Sequence, residues 1–170
     1  AIWAATEQGL FKHSPLTQPD SEPMAFGHNH EALAAPGRIV LFYENALFVG
    51  STKGLVRIDA NGPKEILRPN GNSLGYVYSL HIGPRGKLWI ATLGVGLWVL
   101  NRGRITPVLN GSVSKKGNVY ALCHAPSGTL FVSHDEYIST IEADGRPELF
   151  VNSREPIAAW ALEATDDETL

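Results

Sequence analysis

Three aromatic residues recur at nearly one interval. Tyr78 and Tyr120 stand 42 residues apart, Trp160 follows 40 later, and each has a leucine two positions on: Leu80, Leu122 and Leu162. Rings with a polar tip stack on small polar molecules such as sugars and hydrogen-bond at their rim, so the trio is a candidate ligand-binding set. Packing between sheets is the competing role for the same rings. The tightest group of metal-type ligands is His28-Asn29-His30-Glu31. On a strand His28 and His30 would share a face, as zinc or copper binding uses. Two imidazoles make half a site, and with no third ligand identifiable the expectation is a solvated loop and no cofactor. His134-Asp135-Glu136 falls where a hairpin turn is expected and reads as an ordinary polar turn. Cys123 lies in an apolar run and reads as a small buried hydrophobe. The sequence has no Gly-rich phosphate loop and no nucleophile elbow, and a Ser-His-Asp set would have to be assembled from distant segments. No residue is assigned a catalytic role, and the chain is not expected to be an enzyme.

The elements that hold these residues are repeated. Ile2-Trp3-Ala4-Ala5-Thr6, Leu47-Phe48-Val49-Gly50-Ser51, Leu88-Trp89-Ile90-Ala91-Thr92 and Leu130-Phe131-Val132-Ser133-His134 align, with first residues 45, 41 and 42 positions apart. Each has an aromatic second and ends in small or polar residues. A further element follows each one: Gly9-Leu10-Phe11, Gly54-Leu55-Val56 and Gly96-Leu97-Trp98, with Tyr137-Ile138-Ser139 in the fourth copy, where the glycine is lost. Another precedes three of them: Val77-Tyr78-Ser79-Leu80, Val119-Tyr120-Ala121-Leu122 and Ala159-Trp160-Ala161-Leu162. Three elements sharing one period mark a repeat protein.

All these elements are short, rich in Val, Ile, Leu and aromatics, and bounded by turn residues. Glu44-Asn45, Pro84-Arg85-Gly86 and Pro126-Ser127-Gly128 read as turns between first and second strands. Asn61-Gly62, Arg102-Gly103 and Asp144-Gly145 read as turns between third and fourth. No segment of ten residues has a helical period. The expected fold is all-β: a β-propeller, or a propeller segment, of four-stranded antiparallel blades in four repeats of about 42 residues. The chain, 1–170, is one such domain or fragment, with repeats near 1–37 (completed by 159–170), 38–76, 77–118 and 119–158. Inner strands are expected near 38–43, 77–82, 119–124 and 159–164, lining a channel. Trp3, Phe48, Trp89 and Phe131 are expected to fill the space between blades.

With 14 Lys and Arg against 17 Asp and Glu, the formal charge of −3 does not suit a phosphate-tracking surface. No apolar run approaches the ~20 residues of a membrane span, so neither nucleic acid nor membrane is an expected partner of this segment. A small polar ligand or a protein is. An arc of blades leaves apolar faces uncovered, so the expectation is closure, with Ala159–Glu163 beside Ile2–Thr6, or a homodimer.

Val77-Tyr78-Ser79-Leu80, then Gly86-Lys87-Leu88-Trp89-Ile90-Ala91-Thr92, then Gly96-Leu97-Trp98 resembles the two-component regulator propeller repeat. Its second-strand glycine is kept at Gly50 and replaced by Ala5, Ala91 and Ser133. The resemblance implies a periplasmic or extracytoplasmic sensor module of a signal-transduction protein, cut from a larger chain, without catalytic activity of its own. Lactonase-type and lyase-type propellers have similar repeats, so a propeller enzyme with a channel-bound metal is the alternative. A protein-interaction scaffold is the third reading.

Overall fold

In a computed structural model, residues 1–14, 22–109, 117–141, 147–152 and 159–164 are described. Their fifteen strands form four antiparallel sheets. The first holds β1 (Ile2–Thr6), β2 (Gly9–His13) and β3 (Met24–Ala25). The second holds β4 (Gly37–Tyr43), β5 (Ala46–Ser51), β6 (Leu55–Asp59) and β7 (Gly62–Glu65). The third holds β8 (Tyr76–Ile82), β9 (Leu88–Leu93), β10 (Leu97–Asn101) and β11 (Arg104–Leu109). The fourth holds β12 (Leu122–His124), β13 (Leu130–Ser133), β14 (Tyr137–Ile141) and β15 (Pro147–Asn152). Within each sheet, strands that follow one another in sequence lie side by side, as a meander requires. The chain divides into two compact units, Ala1–Val77 and Tyr78–Leu170.

The turns form where turn chemistry permits them. Glu44 and Asn45, both at positive φ, close the two-residue hairpin between β4 and β5, and Arg102-Gly103 does the same between β10 and β11. Pro84–Gly86 is a single 3-10 turn joining β8 to β9. The Asp144-Gly145 turn lies outside the described residues. One hydrogen bond recurs at the end of the second strand. Thr6 Oγ1 donates to the Gly9 carbonyl (3.0 Å), Ser51 Oγ to that of Gly54 (3.4 Å) and Thr92 Oγ1 to that of Gly96 (2.6 Å). This bond accounts for the small hydroxyl that ends these three aligned segments. Bulges also recur, between Leu97 and Trp98 on β10 and between Ile138 and Ser139 on β14, which are aligned positions.

Each unit has its own core. In the first, Leu10, Val49 and Val56 pack with Ala32 and Leu33 from α1 (Glu31–Ala34), with Trp3, Phe26, Val40, Leu47 and Ile58 around them. The long connection after β2 is therefore not all solvated loop, since one helical turn of it drives Leu33 into the core. In the second unit, Trp89, Ala91 and Leu97 meet Val119, Leu122, Leu130, Val132 and Ile141, so that side chains of β9 and β10 fill against the fourth sheet. Phe48 and Trp89 are buried as expected, and Leu80 and Leu122 are buried too. Trp3, Phe131 and Leu162 are only half-buried. Trp3 lies edge-on to Phe26 (5.0 Å between centroids) with Lys12 Nζ 5.3 Å from its ring centre.

Two of the expected inner strands need correction. Inner strands form at 37–43 and 76–82, but the third is a short ladder at Leu122–His124, and 159–164 is irregular. The second-strand glycine is kept at Gly50 for a packing reason. A Cβ there would stand 2.7 Å from Val77 Cγ1 and 2.9 Å from Ile39 Cγ2.

Candidate functional site

Tyr78 is the third residue of β8, a strand in which Val77 and Leu80 are buried, and its own ring is half-buried. Tyr120 precedes β12 and is held beside β13, since its N–H donates to the Ser133 carbonyl (3.0 Å) and the Ser133 N–H donates to Ala121 (3.0 Å). Ser133 Oγ then accepts the N–H of Ala159 (3.1 Å), which ties down the irregular segment carrying Trp160. One residue, Ser133, thus positions two of the three rings.

The sequence-expected trio does converge. Tyr78 and Tyr120 are edge-to-face at 5.4 Å between centroids, Tyr120 and Trp160 lie at 5.4 Å and Tyr78 and Trp160 at 6.1 Å. Both tyrosines are half-buried, whereas Trp160 is 68% exposed. That exposure leaves stacking surface for a ligand.

The turn between β13 and β14 is more than an ordinary polar turn. Asp135 Oδ1 accepts the Tyr120 hydroxyl (2.8 Å) and Asn118 Nδ2 (3.1 Å), which puts a carboxylate at the rim of the aromatic cluster. Burial first, then the bond to Asp135 and its charge, raise the Tyr120 pKa above the usual phenol value. His134 is 1% exposed and takes the place of the hydroxyl that ends the second strand in the other repeats. Its Nε2 lies 2.9 Å from Ser139 Oγ, its ring stacks on Tyr137 at 4.4 Å, and its N–H donates to the Tyr137 carbonyl. Burial lowers its pKa to about 4, against weaker upward pulls from the Asn118 backbone and Asp135. Both His134 and Ser139 are buried, so this Ser-His pair braces the turn and offers no nucleophile to a substrate.

His81 and His124 stack at 4.9 Å, with Trp89 5.7 Å from His124. Burial, then the neighbouring His81, lowers the His124 pKa to about 4. Gly83 is fitted against this group, since a Cβ on it would collide with both His124 and Trp89. His28 is exposed in a turn and His30 is the half-buried cap of α1. Among the described residues no group of three or more His, Cys, Asp or Glu side chains is placed to hold a metal ion. Cys123 is buried on β12, where desolvation and then Glu163 raise its thiol pKa.

No protein-family model matches the sequence, and no curated protein does. Solved structures do. The extracellular domain of the hybrid two component system BT4673 from B. thetaiotaomicron matches with a TM-score of 0.73 at 18% identity, over 94% of this chain and 23% of that one. The extracellular domain of BT3049, also a hybrid two component system of B. thetaiotaomicron, matches at 0.64 and 15% identity, over 96% of this chain and 21% of that one. The fold is a β-propeller fold. Virginiamycin B lyase from Staphylococcus aureus shares it at a TM-score of 0.60 and 16% identity, over 87% of this chain and 50% of the lyase. The propeller described here therefore spans about a quarter of the length of the two extracellular domains. Identities this low speak for the fold alone. Both extracellular domains come from the class of protein that the Leu88–Thr92 repeat resembles.

Proposed function

We propose that this propeller is a ligand- or partner-binding sensor module of a signal-transduction protein, placed outside the cytoplasm and without catalytic activity of its own. The observation that carries the reading is the convergence of Tyr78, Tyr120 and Trp160, with one ring largely exposed and a carboxylate at the rim. Convergent aromatic surface with a few placed polar groups is how small polar ligands are held. The likeness to two extracellular domains of two-component systems supports both the sensing role and the location. No helix among the described residues is long and apolar enough to cross a membrane.

A thermal-shift screen of small polar compounds, with hits verified by calorimetry, tests the site. Hits should lose binding in Trp160→Ala while the melting temperature of the free protein stays unchanged. Hits that bind Trp160→Ala as well as the parent would remove the site from these rings. The likeness to the lyase favours a second reading, a propeller enzyme using a metal in its channel. A metal that co-purifies with the protein and supports bond cleavage would favour that reading over the first.

A further inference from the structure

We infer that the aromatic cluster takes an organic ammonium ion, with Asp135 as its counter-charge; this rests on the site proposed above. The first observation is the spacing of the rings. Their centroids form a nearly equilateral triangle with sides of 5.4, 5.4 and 6.1 Å. A positive centre about 5 Å out from the plane of that triangle is within ~6 Å of all three centroids, the range over which a ring face turned toward it attracts a cation.

The second observation is independent of the rings. Among the described residues Asp135 Oδ1 accepts hydrogen bonds from two neutral donors, Tyr120 and Asn118. Among the described residues no lysine or arginine forms an ion pair with it; the ion pairs found there are Lys53 with Glu31 and Arg57 with Asp59. Its neighbour His134 is neutral at physiological pH, and the next residue, Glu136, adds a second negative charge on the exposed side of the turn. Among the described residues the rim is therefore net negative, and an anionic ligand would meet repulsion from them. A cation neutralises Asp135 while its methyl or methylene groups cover the exposed indole of Trp160, which desolvates both partners and strengthens the pairing.

Two molecules of almost one shape separate charge from stacking. Choline carries a quaternary nitrogen, and 3,3-dimethylbutan-1-ol replaces that nitrogen with carbon. Calorimetric titration of the full chain with each should give saturable choline binding, with the neutral alcohol about tenfold weaker or more. Choline affinity should fall about tenfold in Asp135→Asn, and binding should disappear in Trp160→Ala. Equal binding of the two molecules, or choline binding that Asp135→Asn leaves unchanged, would overturn the ammonium inference. A neutral disaccharide that binds through Trp160 while choline does not would overturn it too, yet leave the site itself standing. If no compound depends on Trp160, the site falls and the inference with it. A melting temperature for Asp135→Asn within a degree or two of the parent shows that the loss is one of binding.

Discussion

Acidification from pH 7.5 to 5 should destabilise this protein, and His134 should account for much of the effect. The ring is 1% exposed, and burial holds its pKa at about 4, well under the ordinary 6.5. Between those values the unfolded chain binds a proton that the folded chain refuses. The stabilisation is therefore fully present above pH 6.5 and is lost as the pH falls toward 4. At pH 5 one such group costs about 2 kcal/mol relative to pH 7.5, an upper figure, because water admitted on protonation softens the penalty. His124, shifted in the same direction, is half-buried and adds less. Urea titrations at pH 7.5, 6 and 5, followed by circular dichroism, measure the loss directly. His134→Gln supplies the control, since the amide can still reach Ser139 Oγ but does not titrate. The variant should lose about 1–2 kcal/mol less than the parent over this range. If both lose the same amount, or if the parent is as stable at pH 5 as at 7.5, the burial argument for His134 is wrong.

Other substitutions test the packing. Phe48→Ala, which empties a site only 2% exposed, should cost ~3–5 kcal/mol in urea. Phe131→Ala, at the aligned but half-buried position, should cost distinctly less, and equal losses would sever burial from cost here. Gly50→Ala should destabilise by ~1–3 kcal/mol because its methyl meets Val77, and Val77→Ala should recover part of that in the double variant. Additive losses would show that Val77 is not the obstacle. The proposed assembly is either closure of the chain, with Ala159–Glu163 beside Ile2–Thr6, or a homodimer; a monomer in sedimentation velocity at micromolar concentration whose terminal strands stay apart would refute both.

The repeat and its strands were determined by the sequence alone. The Leu-aromatic segments at 2, 47, 88 and 130, and the turn residues between them, are local signals of extended chain and reversal. Sheets built by meander need only such local information, so strand order followed as well. The equivalence of Tyr78, Tyr120 and Trp160 was legible too, as a period. Their contact was not, because Trp160 sits on an irregular segment tied down by tertiary bonds such as that from the Ala159 N–H to Ser133 Oγ. His134-Asp135-Glu136 has the composition of an ordinary polar turn, yet the tertiary structure buries His134 and aims Asp135 at Tyr120. The substitution of His134 for the hydroxyl that ends the second strand, together with the lost glycine at Tyr137, was the available signal. Likewise nothing periodic announces α1, whose four residues become helical where Leu33 finds apolar surface to cover. Backbone direction is encoded within a few residues; which side chains meet across sheets depends on packing among distant segments, and only the folded chain decides it.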